Sequence, residues 1–496
     1  MEKHTVCLLN DSFPPFIDGV ANAVLNYATQ IETSYGHALV VTPECPGADY
    51  SFYPFPVYTY PGLDIRKKIG YVAGNPFAPE IDYRVRQESP DILHCHCPAI
   101  SAYLSRMLRH SLDVPLVMTY HTKFDIDIAN ALRSKLLQKE AISQLVSNIS
   151  ACDEVWVVSK GAGENLRSLG FQGDYIVMEN GVDMPRRRAS VEEIESATGG
   201  YDLPAGVPVF LFVGRMMWYK GIRIILDALA GLKNEDIPFR MVFIGAGGDE
   251  KEIKDYSSSL GLDGCCLFTG AIRDRAALQA WYSRADLFLF PSTFDTNGLV
   301  VREAAASDLA SIMIKDSCAS EGVTDGRNGF LIDENAEAMA AKLKQILSIP
   351  GTAERVGKCA GDELYSSWSD AVAKAAERYE IVIDRYRSGY YRRNNSVSEE
   401  LFRSGGALME KLGKLEEVKE QLLTQFYLPL TEKLHESRDQ AVSQLLEAKA
   451  QAEGKIQDTK DMLQKMIDQK REAAEHKRSM LMNDLSSMWN EDDRYL

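Results

Sequence analysis

Short apolar runs that alternate with helix-length stretches constrain this chain more than any other feature. In residues 1–180 the runs Val6–Asp11, Ala38–Thr42, Asp91–Cys97, Leu116–Tyr120, Glu154–Ser159 and Tyr175–Asn180 read as strands, and stretches such as Ala102–Leu112 read as helices. Alternation of this kind predicts a parallel sheet covered by helices. It stops over 185–206, a polar stretch with Arg186-Arg187-Arg188 and Gly199-Gly200 that reads as a linker. It then restarts with Val207–Gly214, Phe239–Gly245, Cys265–Gly270, Leu287–Ser292, Ser311–Ile314 and Gly329–Asp333. The expected fold class is α/β, with Rossmann-like domains at 1–184 and 207–368 facing each other across a cleft. Ligands of such domains sit in loops at the carboxyl ends of the strands.

After Trp368 the pattern changes. Residues 369–386 read as one amphipathic helix, and the tail 396–496 has no strand signal and no Cys. Its apolar residues Leu445, Ala448, Ala452, Ile456, Leu463, Ile467, Ala474, Leu481 and Leu485 recur in steps of three, four or seven, a helical stripe of coiled-coil type. Pro429 separates two helices there. The tail carries 15 Lys plus Arg against 20 Asp plus Glu. That balance disfavours simple electrostatic anchoring to an anionic membrane, so self-association or partner binding is expected of it. The whole chain has a net charge of −16, which excludes a general nucleic-acid binder without forbidding a local basic patch. Its 9 cysteines are irregularly spaced and odd in number, as in a cytosolic chain with reduced thiols. No apolar run approaches the roughly 18 residues of a membrane span, and the start is too polar for a secretory signal.

Two loops carry candidate chemistry. In Pro291-Ser-Thr-Phe-Asp295-Thr-Asn297-Gly298-Leu299-Val-Val-Arg-Glu303-Ala a strand ends at Ser292, and a helix is expected to begin near Gly298 with Glu303 in its second turn. Amides of Asn297, Gly298 and Leu299 would face an anion at the positive end of that helix. The two acids would flank it and accept hydrogen bonds from hydroxyls of a sugar or ribose. The alternative is that Asp295 caps the helix and Glu303 sits on an exposed face. In Gly214-Arg215-Met-Met-Trp-Tyr-Lys220-Gly221, directly after the first strand of the second domain, Arg215 and Lys220 can both reach the cleft. Two cations there can neutralise a diphosphate leaving group. The alternative is a pair of solvated surface cations.

With these residues the chain resembles the retaining family-four glycosyltransferases of the GT-B fold, over about residues 1–390. The matching elements, in family order, are Pro14-Pro15-Phe16-Ile17-Asp18-Gly19-Val20, Tyr120-His121-Thr122, Val158-Ser159, Asn180-Gly181-Val182-Asp183, Gly214-Arg215 with Lys220-Gly221, Asp325-Gly326 with Asn328-Gly329, and the acid pair. Tyr120-His121-Thr122-Lys123-Phe124-Asp125 and Asp295-Thr-Asn-Gly look most like the diacylglycerol glucosyltransferase branch. The resemblance implies that 369–395 crosses back onto the first domain. It implies that Arg215 and Lys220 bind the diphosphate of a nucleotide sugar and that Glu303 contacts the ribose. Asp295 then meets the transferred sugar with the Asn297–Leu299 amides in support, His121 orients that sugar from across the cleft, and Gly19 permits close approach of the donor. Two positions depart from the family pattern. Asp295 stands where the family has Glu, one methylene longer, and Asp18 stands where it has Gly.

Three further signals are set aside. Asp125-Ile126-Asp127 spells the D-x-D of metal-dependent glycosyltransferases, but it follows the His121 loop and opens a helix, where acids suit the dipole. A hard cation needs more oxygens than this pair offers. In His94-Cys95-His96-Cys97 strand alternation puts the histidines on one face and the cysteines on the other, so all four cannot meet one ion and a packing role is expected. Gly245-Ala246-Gly247-Gly248 lacks the full dinucleotide spacing and shapes a donor-side loop. Arg66-Lys67-Lys68 and Leu132–Lys139 mix cations with apolar residues, as a membrane-facing surface does. The expectation is a cytoplasmic, metal-independent enzyme, peripheral on a membrane, that moves glucose from UDP-glucose to diacylglycerol. Transfer to a surface polysaccharide precursor, and a non-catalytic scaffold with a relic cleft, remain open alternatives.

Overall fold

The structure, a computed structural model, describes residues 3–16, 18–64, 72–132, 134–391 and 397–422 and scattered positions between 449 and 472. The chain divides into two compact units, Met1–Ala78 with Val85–Gly406, and Pro79–Arg84 with Ala407–Leu496. The first unit holds two sheets, each the centre of a lobe.

The strands of the first lobe are β1 (His4–Leu9), β2 (Gly36–Pro43), β3 (Val57–Tyr60), β4 (Gly62–Asp64), β5 (Val72–Gly74), β6 (Ile92–Cys95), β7 (Leu116–Tyr120), β8 (Glu154–Val157) and β9 (Ile176–Val177). Seven of them form a parallel sheet in the order β3-β2-β1-β6-β7-β8-β9, and β4 and β5 pair antiparallel. The second lobe has β10 (Val209–Val213), β11 (Arg240–Ile244), β12 (Cys266–Gly270), β13 (Leu287–Phe290), β14 (Ser311–Ile314) and β15 (Phe330–Ile332), parallel in the order β12-β11-β10-β13-β14-β15. The central strands are apolar on both faces, because helices cover both sides; every residue of Val209–Val213 and Leu287–Phe290 is buried. The sheet order reverses between β1 and β6 in one lobe and between β10 and β13 in the other. Those are the points where adjacent loops diverge and open a crevice.

Two sequence expectations change. The short Val57–Tyr60 run, bracketed by Pro56 and Pro61, forms edge strand β3, and it was not expected. The 185–206 stretch is not a plain linker, because it contains the helix Val191–Thr198, started by a capping box between Ser190 and Glu193.

The chain passes between the lobes twice, and the passages touch. The Val182 amide donates to the Ser366 carbonyl at 3.0 Å, and a Cβ on Gly181 would lie 2.3 Å from the Trp368 nitrogen. The helix Trp368–Arg387, opened by a capping box of Ser367 and Asp370, buries Trp368, Val372, Ala375, Tyr379, Val382 and Ile383 in the core of the first lobe, with Val6, Leu8, Tyr27 and Trp156. All 9 cysteines are free thiols.

The helix Val397–Leu422 starts inside the first unit. Its Glu399 is buried between Arg106, at 2.6 Å, and His110, at 2.7 Å, and the Arg106 guanidinium lies 3.6 Å from the centre of the Phe402 ring. A tail boundary at 396 therefore cuts through this cluster. Within the second unit, a Cβ on Gly413 would stand 3.2 Å from both the Asp82 carboxylate and the Pro79 carbonyl, so a residue without one suits that packing. The apolar stripe from Leu445 to Leu485, Pro429 and Arg66-Lys67-Lys68 all lie outside the described residues. Among the described residues no helix is long and apolar enough to cross a membrane.

Removing Glu399 strands a buried cation, the costly half of breaking a buried pair. Glu399→Ala should destabilise the protein by about 3–5 kcal/mol in urea unfolding. An unchanged midpoint would mean that the start of this helix does not dock on Arg106.

Candidate active site

Loops at the carboxyl ends of β1, β7, β10 and β13 line a cavity of about 570 Å³. It is lined by Asp18, Gly19, Val20 and Asn22 after β1, by His121–Lys123 after β7, by Arg215 and Lys220 after β10, and by Phe294–Val300 after β13. Eight of the nine residues expected to handle the donor line it: Gly19, His121, Arg215, Lys220, Asp295, Asn297, Gly298 and Leu299. Glu303 does not.

On the β10 side a short 3-10 turn, Trp218–Lys220, ends at Gly221 with φ +76°, and a Cβ there would strike the Pro291 carbonyl oxygen at 2.1 Å. Glycine thus lets the β10 loop press against the end of β13 and brings Lys220 beside Asp295. The Lys220 ammonium is buried and 2.7 Å from Asp295 Oδ1, and Ser292 Oγ donates to Asp295 Oδ2 at 2.5 Å. Asp295 is therefore not a helix cap. The helix Leu299–Ala306 is capped by the backbone of Gly298, at φ +62°, with no side chain on its first turn. Among the described residues the Leu299 and Val300 amides take no partner, so they are available to an anion. The Arg215 side chain is exposed and likewise unbonded among the described residues, a cation ready for a ligand.

The other acids are engaged within the protein in different ways. Asp18 does not face the cavity as a free charge. It caps the helix Gly19–Gln30 by accepting from the Val20 and Ala21 amides at 2.8 and 2.7 Å, and Ser12 Oγ donates to it. A Cβ on Gly19 would meet nothing within 4 Å, so that side of the loop is open. Glu303 is buried, not on an exposed face, and its carboxylate accepts from Arg275 at 2.8 Å and the Tyr282 hydroxyl at 3.0 Å. Burial and this carboxylate together push the Tyr282 hydroxyl well above its usual pKa. Asp125 lies in the first turn of the helix Phe124–Ala131, as expected, and does not line the cavity. The Asp127 side chain lies outside what is described. Among the described residues no three His, Cys, Asp or Glu side chains converge as a metal-binding group. A Cβ on Gly245 would strike the Gly214 carbonyl oxygen at 1.9 Å, so the Gly245–Gly248 loop packs on the start of the Arg215 loop.

Several residues at the site escaped the sequence reading. The first lobe holds the β13 loop: Thr296 Oγ1 donates to the His121 carbonyl at 2.8 Å, Ser159 Oγ donates to the Thr296 carbonyl, and Asn297 Nδ2 donates to the Val158 carbonyl at 2.9 Å. The Asn297 side chain thus holds the loop to the first lobe. Buried Arg302 spans Asn297 Oδ1, the Leu364 carbonyl and Glu179 at 3.1, 3.2 and 2.9 Å. It ties that loop to both interlobe passages. Glu321 of the second lobe accepts from the Lys160 and Gly161 amides at 2.7 and 2.6 Å, at the start of a first-lobe helix. His94 and His96 share one face of β6, with ring centres 4.0 Å apart. His96 exceeds a packing role, because its Nδ1 is 2.9 Å from His121 Nε2.

Two family models match the chain: Glycosyltransferase Family 4 over residues 17–186 and Glycosyl transferases group 1 over 195–362. Between them they take up more than half of it. The chain belongs to glycosyltransferase family 4. Sulfoquinovosyl transferase SQD2 of Arabidopsis thaliana is 25% identical over 390 residues, 74% of this chain and 72% of that protein. Alpha-monoglucosyldiacylglycerol synthase of Streptococcus pneumoniae is 21% identical over 409 residues, 80% and 90% of the two chains. A GDP-mannose-dependent alpha-mannosyltransferase of Corynebacterium glutamicum is 24% identical over 336 residues, 66% and 76%. The crystal structure of Anabaena Alr3699/HepE with UDP and glucose matches the fold with a TM-score of 0.60 at 18% identity, covering 76% of this chain and 99% of that one. This family-four protein has the two-lobed GT-B fold and is a nucleotide-sugar-dependent hexosyltransferase.

Burial favours the neutral form of His94, His96 and His121 in this glycosyltransferase. It pushes His121 down to about 3 and holds His94 and His96 well below the usual histidine range, the other histidines of the group adding to the effect. The unfolded chain, with histidine pKa near 6.5, binds these protons first as pH falls. The stabilising effect of a neutral His121 is therefore complete above about pH 6.5 and is lost as pH falls toward about 3. His121→Asn should flatten the fall in unfolding free energy between pH 7.5 and 5 by roughly 2 kcal/mol. Parallel pH curves for the two proteins in urea titrations would contradict a buried, neutral His121.

Proposed function

We propose that this glycosyltransferase moves glucose from UDP-glucose to a membrane lipid such as 1,2-diacylglycerol, with retention of anomeric configuration and without a metal ion. The observation that carries the reading is the grouping of Arg215, which has no side-chain partner among the described residues, Lys220, paired with Asp295, and the free Leu299 and Val300 amides around one cavity that faces His121. That is a built place for a diphosphate whose charge grows as it leaves. Asp295 takes hydroxyls of the transferred sugar, His121 faces the same sugar, and Glu303 offers its remaining lone pairs to the ribose. In the family's mechanism the departing phosphate helps deprotonate the acceptor on the face it leaves, which is how configuration is kept.

The lipid acceptor has separate support. A relative that aligns with 80% of this chain is named for a diacylglycerol product. The helix Lys135–Ser150 of this chain exposes Leu136 and Leu137, 75% and 56% accessible, between Lys135 and Lys139. Apolar side chains flanked by cations suit an anionic lipid surface. Incubation with a panel of nucleotide sugars and diacylglycerol vesicles, followed by mass analysis of lipids, tests the assignment. A glucosylated diacylglycerol formed from UDP-glucose is expected. A product only on water-soluble glycans would replace the lipid acceptor, and release of no nucleotide from any donor would end the proposal.

Two further outcomes are expected. Arg215→Ala and Lys220→Ala should each lower turnover by about 10²-fold or more, and activity should persist in excess EDTA. Near-normal turnover in a folded Lys220→Ala, or loss in EDTA restored by Mn²⁺ or Mg²⁺, would contradict the charge assignment. Asp295→Asn should lose much of the activity while Asp295→Glu keeps some, in steady-state assays. Equal rates in all three forms would leave Asp295 with a structural task only.

A further inference from the structure

We propose that His96 is a positioning residue that fixes the tautomer of His121, so that His121 offers a protonated Nδ1 to the cavity. His96 is buried at the end of β6, next to the reversal point of the first sheet, and it lies outside the cavity lining. Its Nδ1 and His121 Nε2 are 2.9 Å apart. One of these nitrogens carries the shared hydrogen and the other accepts it.

The surroundings of His96 decide which. Its second nitrogen, Nε2, is buried and has no hydrogen-bond partner among the described residues. An N–H left without an acceptor in a buried place is rare and costly, more so than a bare lone pair. A proton on His96 Nε2 would be such an orphan, so the proton sits on Nδ1 and is donated to His121 Nε2. His121, neutral, then carries its own proton on Nδ1. No described residue bonds that nitrogen, and His121 lines the cavity.

The ring packing holds this arrangement still. Tyr27 meets the His94 and His96 rings edge-on, at 5.4 and 5.2 Å between centres. His94 is fixed at both nitrogens, by the Tyr379 hydroxyl at 2.6 Å and Thr119 Oγ1 at 2.7 Å. Tyr379 belongs to the helix that returns to this lobe after the second crossing. A file of aromatic side chains thus runs from that helix to the cavity and ends in a donor of fixed direction. A neutral N–H there is suited to a lone pair on a sugar hydroxyl and would be useless as a base at that nitrogen.

The test reads the tautomer directly and needs no turnover. In full-length protein with ¹⁵N-labelled histidine, two-bond and three-bond correlations distinguish a protonated from a bare ring nitrogen, with His121→Asn supplying the assignment. His121 should show a protonated Nδ1 and a bare Nε2. His96→Asn, whose amide nitrogen lies near the lost Nδ1 and can still donate, should keep that pattern, and His96→Leu should lose it. In transfer assays, whose interpretation rests on the function proposed above, His96→Leu should slow turnover roughly tenfold, about one hydrogen bond, at an unchanged affinity for UDP. His96→Asn should stay within about threefold of the parent. A protonated Nε2 on His121 in the parent protein overturns the proposal, and so does an unchanged His121 spectrum in a folded His96→Leu. Should His96→Leu not fold, the parent and His96→Asn spectra still decide. Absence of glucosyl transfer with the expected tautomer present would count against the function and not against this assignment.

Discussion

The Asn297 side-chain amide is the joint on which the site depends. Its nitrogen donates across the cleft to the Val158 carbonyl, and its oxygen receives Arg302 from the helix it precedes. One short side chain thus fixes the start of that helix to the opposite lobe. The first-turn amides of an eight-residue helix carry useful positive potential only if their direction is constant. Thr296, Ser159 and Lys123 add contacts to the same loop, and Arg302 extends the network to the two interlobe passages. The loop that carries Asp295 therefore moves with both lobes at once.

Much of the fold was legible in the sequence because its signal is local. Strands buried on both faces are runs of apolar residues, and Val209–Val213 or Leu116–Tyr120 need no tertiary information to be seen. Edge strand β3 is less visible because it is short and lies between prolines. The helix Val191–Thr198 had a readable start, Ser190 followed by Glu193, hidden in a composition that otherwise looks like a connection. The loops after β10 and β13 were legible for a related reason. Each follows a recognisable strand, and sheet topology alone places them side by side.

What stayed hidden has partners far away along the chain. Arg302 looks like a helix-surface cation until Glu179, 123 residues upstream, is brought against it. Glu303 was read as a ribose ligand or an exposed acid, and no spacing rule announces Arg275 and Tyr282 as its partners. His96 lies 25 residues from His121, and only the adjacency of β6 and β7 turns a strand-end residue into a neighbour of the cleft. Asp18 is the opposite case. Its role as a helix cap is local, set by amides two and three residues further on. Glu399 sits beyond the end of the resemblance, so its burial against Arg106 could not be inferred from the family pattern.

The Lys220–Asp295 pair gives the cavity an internal counterion. A site that must receive a dianion usually waits as a concentration of uncompensated positive charge, which attracts any phosphate in solution. Here one of the two cations is already neutralised by a carboxylate on the facing loop. An incoming anion must compete with that carboxylate for the ammonium, as on an ion-exchange surface. Whatever draws the ammonium toward itself returns Asp295 Oδ1 to the cavity as a free acceptor, while Ser292 still holds the other oxygen. On the function proposed above, engagement of the charged half of the donor would uncover a hydrogen-bonding group for its uncharged half. On that function, the two halves of the donor would be engaged in sequence, and a simple anion that lacks the second half would recover less of what the exchange costs.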